Sequence, residues 1–163
     1  AIVFWFQATL VAVVSLPAWA IIVDGAADPS RPLGRWDALA AGIALIGIFI
    51  EAAADAQLVR FRADVTKRGE VLNTGLWRFS RHPNYFGNFV LWWGLGLWAV
   101  SIGAYWALIG PAIMTFLLLR VSGVALLEST IGSRRPGYAH YIATTSAFFP
   151  WPPKAKPDSS KIR

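Results

Sequence analysis

Long apolar runs, broken by short polar stretches, dominate this chain. Residues 1–23 (AIVFWFQATLVAVVSLPAWAIIV), 36–59, 85–100 and 104–127 each read as a membrane-crossing helix, because crossing a bilayer takes roughly 20 mostly apolar residues. The run 85–100 is short, and Gly103 predicts a tight turn before the next. Pro17 is expected to kink the first helix, which membrane helices tolerate. Gly25, Pro29, Pro32 and Gly34 make Asp24 to Arg35 a turn-rich loop. Gly94 and Gly96 allow helices to approach closely. The expected fold is all-α: a polytopic transmembrane bundle of about four spanning helices plus a short amphipathic segment. Residues 1–153 are expected to form a single transmembrane domain, the C-terminal part of a longer protein, and 154–163 a polar, disordered tail. The chain starts without Met inside an apolar stretch, and no basic region precedes residues 1–22 to make them a signal peptide. It shows no internal repeat and no soluble second domain.

Composition narrows the class. With 163 residues, 56% hydrophobic and only 15% charged, the chain is too apolar for an ordinary soluble domain. It has no Cys, so disulfides and thiolate metal sites are excluded, and two His residues argue against a His-based zinc site. A net charge of +6 in such an apolar chain points to basic loops and acidic small ligands rather than to nucleic acid. Arg60, Arg62, Lys67, Arg68, Arg78 and Arg81 lie between the second and third runs. Arg134, Arg135, Lys154, Lys156, Lys161 and Arg163 follow the fourth. In the first loop, Arg31 and Arg35 are offset by Asp24 and Asp28. The positive-inside rule therefore places loop 60–84 and the C-terminus in the cytoplasm.

The polar residues at the ends of these runs carry the candidate chemistry. The segment GLWRFSRHPNYFG, Gly75 to Gly87, sets Arg78, Arg81, His82, Asn84 and Tyr85 at the start of an apolar helix. Pro83 suits a first helical turn. A helix N-terminus with an adjacent Arg suits an anion. Asn84 and Tyr85 can hydrogen-bond a ligand, and Gly87 lets a neighbour approach the backbone closely. Glu51, Asp55 and Arg62 fall on one helix face. They form either a polar pocket wall or an interfacial face with Asp55 and Arg62 paired locally. Glu128 ends the fourth run, and Arg120 within it can reach either Glu128 or a ligand. Tyr138 and Tyr141 share a face if helical, as site residues or, with Trp151, as an interfacial aromatic belt. The prolines of SAFFPWPP preclude regular helix and return the chain to the membrane surface. Trp92, Trp93, Trp98 and Trp106 read as packing and lipid-facing bulk.

GLWRFSRHPNYFG, the preceding Asp55-x-Gln57-x4-Arg62, and the trailing Glu128…Arg135-Pro136-Gly137-Tyr138-x2-Tyr141…Pro150 together resemble the DUF1295 family over about residues 36–153. That family is similar to the C-terminal half of steroid 5-alpha-reductases, in a superfamily shared with isoprenylcysteine carboxyl methyltransferases. The RHPNY core does not separate the two branches. The resemblance implies a cofactor pocket opening to the cytoplasm, for NADPH in the reductases and S-adenosylmethionine in the methyltransferases. By position it implies cofactor-binding roles for Asp55, Arg62, Arg81, His82, Asn84, Tyr85, Glu128, Arg135, Tyr138 and Tyr141. Asn88 departs from the Glu that reductase relatives commonly carry there. The helices that supply the steroid reductases' carbonyl-polarising Glu and Tyr do not precede Ala1, so no catalytic residue is assigned.

The expected function is that of a membrane-embedded NADPH-dependent reductase of an activated C=C bond in a steroid-like or isoprenoid substrate. Arg62, Arg81, Arg134 and Arg135 would clamp phosphates. One alternative is an S-adenosylmethionine-dependent lipid or prenyl carboxyl methyltransferase. A second is a non-catalytic lipid-binding or scaffold subunit. The expected partners are a lipid-soluble substrate and membrane lipids.

Overall fold

In the computed structural model, which describes residues 2–121 and 137–154, the chain is all-α and the described residues form no strand. The first apolar run is two helices, α1 (Ile2–Val14) and α2 (Leu16–Ala27), bent by 54° at Ser15. Pro17 is the cause: it lies in the first turn of α2 and has no N–H to return to the preceding turn. The break thus falls two residues before the proline. A later helix, α5 (Ile109–Phe116), packs into the bend, where a Cβ on Gly110 would lie 2.7 Å from the Val14 carbonyl oxygen.

Helix α3 (Arg35–Ala63) has 29 residues and runs antiparallel to α4 (Pro83–Ser101). The two touch backbone to backbone. Ala40, Ala44, Gly47 and Ala54 bury one stripe of α3. A Cβ on Gly47 would sit 2.3 Å from the Leu91 nitrogen, on Gly87 2.4 Å from the Glu51 nitrogen, and on Gly94 2.5 Å from the Ala44 nitrogen. Small residues at helical spacing permit this approach, a packing mode that needs no hydrophobic driving force. The expectation for Gly94 holds. It holds for Gly96 too, which admits α5: a Cβ there would lie 2.8 Å from Pro111 Cγ. The neighbour that Gly87 admits is α3.

At one end of this pair a polar network joins three segments. Asp37 is fully buried and accepts from the Gly34 N–H at 2.8 Å, from Arg31 at 3.1 Å and from the Ser101 hydroxyl. Arg31 also pairs with Asp24 at 3.3 Å. The network ties the α2–α3 loop to the end of α4.

Gly103, with φ of 84°, makes the expected turn after α4. The last apolar run is less regular than expected: a 3-10 turn at Tyr105–Leu108, then α5, then a π-helical turn at Leu117–Val121 that carries Arg120. Trp93 Nε1 donates to Thr115 Oγ1 at 3.0 Å and fastens α4 to α5. Farther along, α6 (Tyr138–Thr144) leads into a non-helical strap, Thr145 to Lys154.

The four-span expectation narrows to a coarser statement. Among the described residues only α3 is by itself long and apolar enough to cross a membrane, and the bent α1–α2 pair makes a second if taken as one span. Helix α4 is long enough, but its two Asn, its Tyr and its Pro lower its apolarity. The window of α3 that passes is only 28% buried, so its apolar surface faces outward. Residues 155–163, most of the expected tail, lie outside the described residues, whereas Lys154 is tied down, its N–H donating to the Thr144 carbonyl at 2.9 Å.

Candidate functional site

A cavity of about 340 Å³ lies at the other end of the α3–α4 pair. That volume is within the range of about 300–1,000 Å³ typical of small-molecule sites. Three separate segments build it. The end of α3 supplies Leu58, Phe61 and Arg62. The linker to α4 and its first turn supply Val71, Leu72, Trp77, Arg81, His82, Asn84 and Tyr85. Helix α6 supplies Tyr138 and Tyr141. The lining thus combines apolar side chains (Leu58, Phe61, Val71, Leu72) with polar ones.

The linker is shaped by α3. Gly75 adopts φ of 59°, a left-handed conformation open to glycine, and a Cβ there would strike the Gln57 side chain at 2.5 Å. The Gln57 Oε1 accepts from the Leu76 N–H at 2.9 Å, and Trp77 Nε1 donates to the Ala54 carbonyl at 3.0 Å. These bonds hold the turn Gly75–Arg78 against α3 and set Trp77 at the cavity wall. Upstream, the Thr66 hydroxyl and N–H both donate to Asp64, which ends α3, and hold its carboxyl below the usual carboxylate range.

Pro83 opens α4, with His82 as its N-cap. The His82 and Tyr85 rings stack at 5.5 Å with planes 7° apart. Asn84 Nδ2 donates to Asp55 Oδ1 at 3.0 Å. Asp55 does not line the cavity itself, so it acts there by orienting the Asn84 amide. One turn deeper, Asn88 Nδ2 reaches both oxygens of Glu51 at 3.2 and 3.3 Å. The two carboxylate–amide pairs form a ladder between α3 and α4.

This arrangement keeps Glu51 and Asp55 on the face of α3 that meets α4, and it divides the work among the three polar residues. Glu51 bonds Asn88 and Asp55 bonds Asn84 across the helix pair, while Arg62 lines the cavity. Asp55 and Arg62 do not pair with each other, and among the described residues no carboxylate lies within ion-pair distance of Arg62. Asn88 also acquires a physical role. A carboxylate in its place would face Glu51 and repel it.

Arg81 is 8% exposed and lines the cavity, yet its Nη1 donates to the Ile142 and Thr145 carbonyls at 2.8 and 2.5 Å. Those carbonyls end α6, where a cation is favoured. The Arg81 N–H also donates to the Ser146 carbonyl at 2.8 Å. Expected as a phosphate clamp, Arg81 thus commits its Nη1 to docking α6.

Tyr138 and Tyr141 share a face of α6, and both are buried with rings 5.9 Å apart. They are therefore not part of an interfacial belt. The Tyr141 hydroxyl donates toward the Trp77 and Ser80 carbonyls. Ser80 Oγ donates to the Phe148 carbonyl at 2.8 Å and accepts from the His82 N–H at 3.1 Å. Among the candidate residues, Arg62, Arg81, His82, Asn84, Tyr85, Tyr138 and Tyr141 line one cavity, and Asp55 supports it through Asn84. Glu128 and Arg135, with Arg134, lie outside the described residues. Trp77, Ser80 and Gln57 are the additions. All three stand within or beside the quoted motifs, but only folding shows their partners.

A family model described as "Protein of unknown function (DUF1295)" matches residues 1–145, so the match takes in α1 and α2 as well as the part singled out from the motifs. No curated protein and no solved structure matches the chain.

Proposed function

The chain belongs to the DUF1295 family, and from that premise we propose that it is a membrane-embedded, NADPH-dependent reductase of an activated C=C bond in a lipid-soluble substrate. The single observation that carries this reading is the convergence of Arg62, Asn84, Tyr85, Tyr138 and Tyr141, from three segments, on one cavity that is also lined by Leu58, Phe61, Val71 and Leu72. Arg62 has the planar fork that suits a phosphate, and no carboxylate among the described residues competes for it. Asn84 gives its N–H to Asp55 and keeps its amide oxygen for a ligand donor. The stacked His82–Tyr85 pair and Trp77 offer flat aromatic surfaces to a ring. This donor set fits a phosphate-bearing cofactor with an aromatic head group.

When bound, NADPH supplies a hydride to the β-carbon of an enone, a proton adds at the α-carbon, and NADP⁺ leaves. Arg62 would hold a phosphate, Asn84, oriented by Asp55, would hydrogen-bond the head group, and Leu58, Phe61, Val71 and Leu72 would limit water in the cavity. In this reading the apolar runs cross the membrane four times, with loop 60–84 and the strap on the cytoplasmic side, as the clustering of Arg and Lys in those regions favours. The outward-facing apolar surface of α3 supports the membrane setting.

The engagement of Arg81 Nη1 with backbone carbonyls favours a second reading. It leaves fewer cation donors for phosphates, and S-adenosylmethionine has none. That ligand would make the chain a lipid or prenyl carboxyl methyltransferase. Calorimetric titration of the purified protein with each ligand decides between them. NADPH is expected to bind, and R62A to weaken it by about tenfold or more, the worth of a charge-assisted hydrogen bond. Binding of S-adenosylmethionine alone would replace the first reading with the second.

A further inference from the structure

The strap after α6 is held rigidly on one side and bare on the other. On its inner side the Arg81 N–H donates to Ser146, Ser80 Oγ to Phe148, and the Trp151 N–H to the Phe79 carbonyl at 2.9 Å. Phe148 points inward and is 4% exposed, with its ring against Phe86 and Phe89 of α4. Pro150, Pro152 and Pro153 stiffen what remains. On the outer side Phe149 is 55% exposed and Trp151 69%. Phe79, 40% exposed, lies beside Trp151 through the Trp151–Phe79 backbone bond. The exposure of these rings is therefore fixed by the fold. Bare aromatic surface costs about 25 cal/mol per Å² relative to burial, so a rigid patch of this kind calls for an occupant.

Charge and position identify the occupant. Arg78, its guanidinium over the Phe79 ring at 5.9 Å, and Lys154 flank the patch, and both are exposed. Phe149 packs on Phe86 and Phe89, so the patch continues onto the side of α4. Trp and Phe beside Arg and Lys match the boundary between acyl chains and anionic headgroups. We propose that the strap Ser146–Lys154 docks on an anionic membrane surface, with Phe149 and Trp151 inserted at headgroup level and Arg78 and Lys154 pairing with lipid phosphates. This goes beyond the reductase reading, resting only on its membrane setting, and gives the strap a second duty. The segment that sets Tyr138 and Tyr141 at the cavity also fixes the height of the cavity mouth on the bilayer.

The absence of Cys makes the test clean, because one introduced thiol is a unique label site. Nitroxide labels on F149C and W151C are placed in nanodiscs of phosphatidylcholine and phosphatidylglycerol. Their accessibility to oxygen and to a water-soluble nickel chelate is compared with that of F49C, on the outward face of α3, and N73C, in the linker. Residues 149 and 151 are expected between the two references. Labels as open to the nickel chelate as N73C would overturn the proposal, as would labels shielded from both probes and spin-coupled between copies, which marks a protein–protein interface. A water-accessible F49C would instead defeat the membrane setting itself, and the proposal with it. The two strap positions serve as checks on each other should one substitution disturb folding.

Discussion

Arg62 and Arg81 both line the cavity, and their neighbours give them different work. Arg62 projects from the last turn of α3, with no carboxylate partner among the described residues. Arg81 reaches across to the carbonyl end of α6. R81A should therefore loosen α6 and the strap before it alters ligand chemistry. Amide exchange in residues 138–147 should accelerate about ten- to a hundredfold, the worth of hydrogen bonds to a charged group, while α3 and α4 stay protected. Hydrogen-exchange mass spectrometry reads this without any ligand. R81K keeps the charge but loses the fork, and should recover part of the protection. The Glu51–Asn88 pair yields a second expectation at this scale. N88L removes the only donor seen on Glu51 among the described residues. Leaving a half-buried carboxylate without that donor should cost about 1–3 kcal/mol, visible as a lower unfolding midpoint in detergent.

At the scale of elements, the α3–α4 pair is the frame on which everything else is mounted. Its stripe of Ala and Gly brings two backbones into direct contact and fixes their register. That register brings Asp55 to Asn84 at the cavity end and Asp37 to Ser101 at the other. G47A and G87A each place a Cβ within 2.3–2.4 Å of the facing backbone. No side chain can rotate away from such a clash, so the helices must separate. Each variant should lose about 1–3 kcal/mol or more, with a matching fall in thermal midpoint, and ligand affinity should fall with it. G42A, inside α3 at a position open to at least 4 Å, is the control expected to leave ligand affinity unchanged and the thermal midpoint equal or slightly raised. The bend between α1 and α2 follows from Pro17, whereas the irregular Tyr105–Val121 segment has a less local origin: Gly110 closes against the α1–α2 break and Thr115 accepts from Trp93.

Over the whole molecule, polar function is split between two ends of an apolar bundle. One end is closed by the Asp37–Arg31 network and the other opens as the cavity. The proposed topology puts these ends on opposite faces of the membrane. Single cysteines at Ser30 and Asn73 should then react with an impermeant maleimide from opposite sides of sealed vesicles, and one at Lys154 from the same side as Asn73. Labelling of Ser30 and Asn73 from one side would rule that topology out. The amino-acid sequence by itself determined the all-α class, the loop at Asp24–Arg35, the turn at Gly103 and the concentration of chemistry between Gly75 and Gly87. These are local properties, set by runs of apolar residues, by the backbone limits of Pro and Gly, and by residues adjacent in the chain. Only the tertiary structure decided which polar groups are spent on the protein and which face the cavity. Arg81 meets Ile142 and Thr145, Asn88 meets Glu51, and Ser80 meets Phe148 across long stretches of chain. A hydrogen bond belongs to a pair, so no reading of one partner's position along the chain can show whether its donors are already taken.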